Sequence, residues 1–266
     1  VDAANSQGNG LYLLTLASNS VSVLDSDEAG YQGINWTEKG DAFAALKFKK
    51  DKKYKQEKGS VLGVKNLSNP QVTQYDPASD SLGFDPNFTI SPNKRPMWSD
   101  DLTRLFYGIH PLVLAEKVMA KQEVNQDSVQ HAEVANLEKI KADSTIKSVS
   151  DLQKAIAKLN TGASPEKKAS GAKKPEMTIW HWEDDRMQSR QQVMEGMDKN
   201  ASFWAVYDPA TKTHLALQDS SLRELNLLPQ QRHALGSDPG AYELDNNLNG
   251  QTYLDYYLVD VATGAK

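Results

Sequence analysis

Two short motifs recur in alternation along this chain, and internal repetition restricts the possible architectures more than any single residue does. The first runs Trp36-Thr37-Glu38-Lys39-Gly40-Asp41-Ala42-Phe43-Ala44 and aligns without gaps to Trp98-Ser99-Asp100-Asp101-Leu102-Thr103-Arg104-Leu105-Phe106. Leu227-Leu228-Pro229-Gln230-Gln231-Arg232-His233-Ala234-Leu235 is a weaker third copy. Each has a large apolar residue, a polar turn, then a strand that alternates or runs apolar. The second motif is Val206-Tyr207-Asp208-Pro209-Ala210-Thr211-Lys212, matched by Leu258-Val259-Asp260-Val261-Ala262-Thr263-Gly264. Lys65-Asn66-Leu67-Ser68-Asn69-Pro70 is a degenerate version. Here a strand meets an Asx-type turn that returns the chain in a hairpin.

The motifs interleave in one order: the Trp36 turn, the Asn66 hairpin, the Trp98 turn, the Asp208 hairpin, the Leu227 turn, the Asp260 hairpin. That order predicts a repeated four-stranded antiparallel blade, with a turn between inner strands and a hairpin near the outer edge. Asp208 and Asp260 lie 52 residues apart, close to the roughly 40–50-residue period of known propellers. A β-sandwich with coincidental repeats is the alternative, and it gives no reason for two motifs to recur in one order. The expected fold class is all-β, a partial β-propeller of about 3–4 four-stranded antiparallel blades with a helical and linker insertion.

Strands are expected at Leu11–Leu14, Val21–Leu24, Ala42–Phe48, Val61–Leu67, Arg104–Ile109, Phe203–Tyr207, His214–Leu217 and Tyr256–Val261, all rich in β-branched or aromatic residues and bounded by turn formers. The 21 aromatic residues all lie in 1–107 and 180–266, which sets the stretch between them apart. In that stretch Leu112, Leu114, Val118 and Met119 recur at helical spacing, as do Leu152, Ile156 and Leu159. From Thr161 to Glu176 the composition collapses to that of a solvated linker. The expected organisation is propeller blades over 1–110, a helical insertion and linker over 111–176, and the same propeller continued over 177–266. The insertion reads as peripheral, with a partner-binding helix as the alternative.

Composition removes several classes of function. A net charge of −5 argues against a nucleic-acid surface. The absence of cysteine removes disulfides, thiol nucleophiles and Cys-based metal sites. No apolar run approaches the ~20 residues of a membrane span. Val1–Gly10 carries no signal-peptide pattern, and the lack of an initiator Met suggests processing or excision. The end at Lys266, just past a hairpin turn, reads as a cut through a continuing repeat.

One segment carries a resemblance. Trp180-His181-Trp182-Glu183-Asp184-Asp185-Arg186-Met187-Gln188 resembles the Trp-His-Trp-x-Asp-x-Arg-x-Gln signature in propellers of bacterial prolyl-oligopeptidase-family serine peptidases. Tyr75-Asp76-Pro77, Ile90-Ser91, Arg95-Pro96, Trp98-Ser99-Asp100-Asp101 and Tyr253-Leu254-Asp255-Tyr256-Tyr257 follow in that family's order. Leu102 departs from a usual turn Gly, and Gln230-Gln231 from a usual Asp-Gly. The resemblance implies a propeller that gates a C-terminal α/β-hydrolase domain and admits peptide substrates by size. It also implies a periplasmic or extracellular location. Neither standard phosphate-binding Gly-rich loop is present, and no cofactor is expected. The implied candidate channel or interdomain surface is Trp180, His181, Trp182, Asp184, Arg186, Gln188, Tyr253, Asp255 and Tyr256. A stand-alone TolB-like scaffold binding protein partners is the alternative, and an enzyme built on propeller loops a third.

The catalytic residues of a hydrolase are not found in these residues. There is no Gly-x-Ser-x-Gly elbow, since Gly236-Ser237-Asp238-Pro239-Gly240 has the wrong spacing. His181, Glu183, Asp184 and Asp185 form a compact ligand-like cluster with no second His nearby. Its better reading is structural: Trp180 and Trp182 pack, while Asp184 and Arg186 pair or cap a turn. The lysines from Lys49 to Lys58 are interrupted by Asp51, Tyr54 and Glu57 and read as a solvated hairpin loop.

Overall fold

Each copy of the first motif closes a hairpin in the computed structural model, which describes residues 8–80, 82–115, 181, 184 and 186–266. Strands β1 (Gly10–Thr15) and β2 (Ser20–Ser26) form a two-stranded sheet. β3 (Gly30–Trp36), β4 (Ala42–Lys49), β5 (Lys58–Lys65) and β6 (Gln71–Tyr75) form a four-stranded antiparallel meander. β7 (Phe88–Ile90) and β8 (Met97–Trp98) pair with the same edge of β9 (Leu105–Pro111) and act as one strand interrupted at Ser91–Pro96. Helix α1 (Gln188–Lys199) precedes β10 (Phe203–Asp208) and β11 (Thr213–Ala216), which complete that sheet. β12 (Glu224–Leu227), β13 (His233–Asp238), helix α2 (Glu243–Asn249) and β14 (Asp255–Asp260) give a last, three-stranded sheet. The fold is all-β and propeller-like, with two complete four-stranded blades between two shorter sheets. Residues 116–180, which hold most of the expected helical insertion and linker, lie outside the described residues.

The three turns of the first motif share one hydrogen-bond pattern. Thr37, Ser99 and Leu228 each donate a backbone N–H to the residue five ahead, at 3.0, 2.8 and 2.9 Å, and accept one from the residue three ahead. The residue at that third position is left-handed in every copy: Gly40 at φ 68°, Leu102 at 56° and Gln231 at 46°. An L side chain there costs about 1–2 kcal/mol. Leu102 offsets it by packing on the core beneath, and Gln231 by bonding Asp100 of the adjacent sheet. The second motif also recurs as geometry. Asp208 and Asp260 each accept two backbone N–H groups from the residues two and three ahead, forming Asx turns. Asn66 turns the chain at φ 57°, which is why β5 stops at Lys65 rather than running to Leu67.

Consecutive sheets pack face to face. On β4, Ala42, Ala44, Leu46 and Phe48 pack with Ile90, Trp98, Leu105, Tyr107 and Ile109 of the next sheet. Phe43 and Ala45 pack the other way, with Leu11 and Leu13 of β1. Both faces of β4 are therefore buried, and its sequence runs apolar instead of alternating. Phe106 and Val206 continue the stack towards Leu225, Ala234 and Val259. Strands β3, β6, β7, β8 and β12 and both helices are additions to the sequence expectation, whereas β13 follows the turn of the third copy of the first motif as expected.

A ring cluster closes the outer part of the interface between the two complete blades. Tyr75 stacks on Tyr207 at 4.2 Å, and a hydrogen bond of 2.6 Å joins the Tyr107 hydroxyl to Nδ1 of His214. His214 is 8% exposed, and burial lowers its pKa from 6.5 to about 4. The unfolded chain takes up a proton there at a pH where the folded chain does not. Its contribution is therefore complete above pH 6.5 and lost as pH falls towards 4. Between pH 7 and 4 the wild type should lose about 3 kcal/mol more than His214→Phe. Parallel pH profiles for the two proteins by denaturant melts would contradict this.

Candidate functional site

Arg186 lies just before α1 and reaches two carboxylates. Its Nη1 is 2.8 Å from Asp198, in the last turn of α1, and its Nε is 3.3 Å from Glu243, the first residue of α2. Arg223, ahead of β12, approaches the same pair at 3.8 and 3.2 Å. Two guanidiniums and two carboxylates thus alternate, tying both helices to the start of the last sheet. The backbone carbonyl of Arg186 accepts a bond from Gln191 Nε2 at 2.9 Å, which fixes the entry into α1. A cleft of about 290 Å³ lies beside the network, bordered by Ser220, Ser221 and Gly240. Because each charge has a counter-charge, the arrangement is suited to holding a surface in shape.

Asp184 makes the turn leading there, its carboxylate accepting the backbone N–H of His181 at 3.0 Å. Gln188 begins α1 and is exposed. Trp180 and Trp182 lie outside the described residues. The downstream residues meet the same region through α2. Tyr242, just before α2, donates to Asp255 at 3.0 Å, and that carboxylate raises the pKa of the Tyr242 hydroxyl. Asn246 exchanges two hydrogen bonds with the backbone of Tyr253, at 2.7 and 3.0 Å. Tyr256 is on the outer face of β14 and 66% exposed. Arg186, Tyr253 and Asp255 therefore border α2, whereas Gln188 and Tyr256 stand out from it.

Arg186→Leu should lower stability by about 1–2 kcal/mol, because it leaves Asp198 and Glu243 sharing one guanidinium. Hydrogen exchange should rise across α1, which buries no side chain of its own. Unchanged exchange in α1 would show that the network does not hold the helix.

A second cleft, of about 380 Å³, was not apparent from the sequence. Turns from three sheets converge on it: Trp36–Asp41, Met97–Leu102 and Gln231. Gln231 joins two of them, accepting the Asp100 backbone N–H at 2.9 Å and donating to its carboxylate at 3.0 Å. Asn35 donates to the Pro96 carbonyl at 3.1 Å. Ser99 and Thr103 donate to Asp101, holding its carboxyl below the usual range and its turn in place. The available signal was the repeat itself, because equivalent turns of successive blades lie on one end of the stack.

Among the described residues, no group of three or more His, Cys, Asp or Glu is arranged to hold a metal ion. No helix among them is long and apolar enough to cross a membrane. The sequence matches no known family model and no curated protein.

Proposed function

We propose that this chain is a non-catalytic β-propeller portion of a prolyl-oligopeptidase-like serine peptidase. In this reading it gates access to, and docks on, an α/β-hydrolase domain outside these 266 residues. The observation that carries the reading is the blade repeat combined with the Trp-His-Trp-x-Asp-x-Arg-x-Gln segment, whose Arg186 joins α1 and α2 to the last sheet. The end-on convergence of blade turns around a cleft is the geometry a size filter requires, since a substrate must pass the mouth before reaching chemistry. Tyr253 and Tyr256, with Val193 and Met197 of α1, leave apolar surface for a docked domain.

The test is the natural reading frame beyond Lys266 together with an assay on a chromogenic prolyl peptide. A Gly-x-Ser-x-Gly elbow downstream, activity in the longer protein and none in this chain would support the gate. A stop codon at or near Lys266 would overturn it. The TolB-like scaffold would then be favoured by the apolar faces at the two ends of the stack. These are Tyr12, Leu14, Val21 and Val23 on the β1–β2 sheet, and Leu235 and Leu258 on the last sheet.

A further inference from the structure

We infer that the cleft at the convergence of the turns binds a cationic side chain, lysine or arginine, presented by a peptide and stacked on Trp36. The repeat supplies the first argument. Trp36 aligns with Trp98, and the indole of Trp98 carries the ammonium of Lys65, from the neighbouring sheet, 5.6 Å from its ring centroid. The same device recurs at Trp204, with Lys94 at 4.5 Å. Trp36 has no such cation among the described residues, and it is 49% exposed while Trp98 is 3% exposed. One aromatic platform of the repeat is occupied and its counterpart is open.

The surroundings supply the second argument. Phe43 lies against Trp36 at 4.6 Å between ring centroids and holds the indole in place without covering it. The cleft walls carry three carboxylates, Glu38, Asp41 and Asp100, against one ammonium, Lys39. Among the described residues Lys39 makes no ion pair with any of them, and Glu38 has no hydrogen-bond partner. Asp41 is oriented by the Thr37 hydroxyl at 2.7 Å and Asp100 by Gln231, so these carboxylates are positioned rather than free to turn away. Met97 and Leu102 add apolar wall for the methylene stem of the incoming side chain. About 380 Å³ accommodates one such side chain and its flanking backbone. An indole face with counter-charges beside it favours a cation over a neutral side chain of the same shape.

The peptide identity of the ligand rests on the gating reading, but the preference for a cation does not. The probes are the tripeptide Ala-Arg-Ala and its neutral isostere Ala-citrulline-Ala, titrated calorimetrically into the 266-residue chain. The arginine peptide should bind about tenfold more tightly than the citrulline peptide, and more weakly as salt is raised. Trp36→Ala should reduce the arginine affinity about tenfold, and Trp36→Phe should retain most of it. Glu38→Gln with Asp41→Asn should reduce it several-fold. Denaturant melts of each variant establish that the fold persists. Equal affinity for the two peptides, an unchanged affinity in a folded Trp36→Ala, or no binding to the wild type would overturn the site. A chain that binds arginine but ends near Lys266 keeps the site and loses the gate. A longer hydrolase-bearing protein without arginine binding does the reverse.

Discussion

Trp98→Ala should destabilise the chain by about 4 kcal/mol, which would bring a fold of ordinary stability close to its unfolding midpoint. Trp98 sits at the end of β8 with 3% of its surface exposed, between the two complete blades. Its indole N–H donates to the carbonyl of Phe43 at 3.0 Å, across the interface. The ring fills the space left by Gly63 of β5, where a methyl group would overlap both the indole and Leu105. Truncation therefore creates a cavity and leaves the Phe43 carbonyl without this donor, two penalties that add. Trp36→Ala, at the equivalent position of the repeat, should cost about 1 kcal/mol or less, because half of that ring is already in water. Urea melts of the two variants compare one motif in two settings. Equal losses would mean that the Trp98 interface is not the structural joint described here. Gly63→Ala gives an independent check and should cost about 2–3 kcal/mol by overpacking the same joint.

That comparison also marks what is legible in a sequence of this kind. The interleaved motifs predict the turns of three sheets and the order of their strands, because a turn's residues must satisfy local dihedral and hydrogen-bond demands. Gly40 and Leu102 share a left-handed backbone although their side chains have nothing in common, so the position in the repeat marks this turn where the residue type alone does not. β3 is hidden for the opposite reason. Its Gly33 is left-handed at φ 67°, and the pairing with β4 slips between Gln32 and Asn35, which breaks the alternating pattern. β7 and β8 are too short for periodicity, and only the shared edge of β9 makes them one strand. Helix α1 buries no side chain and so leaves no apolar stripe on the core.

Arg186 stands out through its motif, but its partners Asp198 and Glu243 lie 12 and 57 residues further along the chain, with Arg223 between them, and no local pattern joins them. The cleft is less legible still. Trp36, Asp100 and Gln231 belong to three turns, and only the stacking of sheets brings them to one mouth.

The second large effect is expected at Lys47, where Lys47→Ala should cost about 3 kcal/mol at neutral pH. Lys47 is 6% exposed on β4, among apolar neighbours, and its ammonium is 2.6 Å from Asp25 and 2.8 Å from Asp27. Burial alone would lower the Lys47 pKa, yet the bonds to the two aspartates raise it above its ordinary value. Asp25 also accepts the Tyr31 hydroxyl at 2.6 Å, so the cluster fastens the loop after β2 to β3 and β4. Removing the ammonium leaves Asp25 without its cation and Asp27 with Lys49 alone at 2.7 Å, so repulsion between the carboxylates and lost solvation act together at the edge of the core. Hydrogen bonds from Lys47 and Lys49 hold the Asp27 carboxyl down at about 2, from an ordinary 3.8. Its depressed pKa means that this stabilisation is complete above pH 3.8 and disappears as pH falls through 2. The difference between wild type and Lys47→Ala should therefore shrink by more than half between pH 7 and pH 2, whatever His214 does to both. Lys47→Met should be nearly as harmful as Lys47→Ala at pH 7, because the buried stem survives but the counter-charge does not. Adding Asp25→Asn to Lys47→Met should recover part of the loss, since a neutral pair avoids the uncompensated charge. Additive losses in that double-mutant cycle, or a penalty independent of pH, would show that Lys47 acts through packing alone.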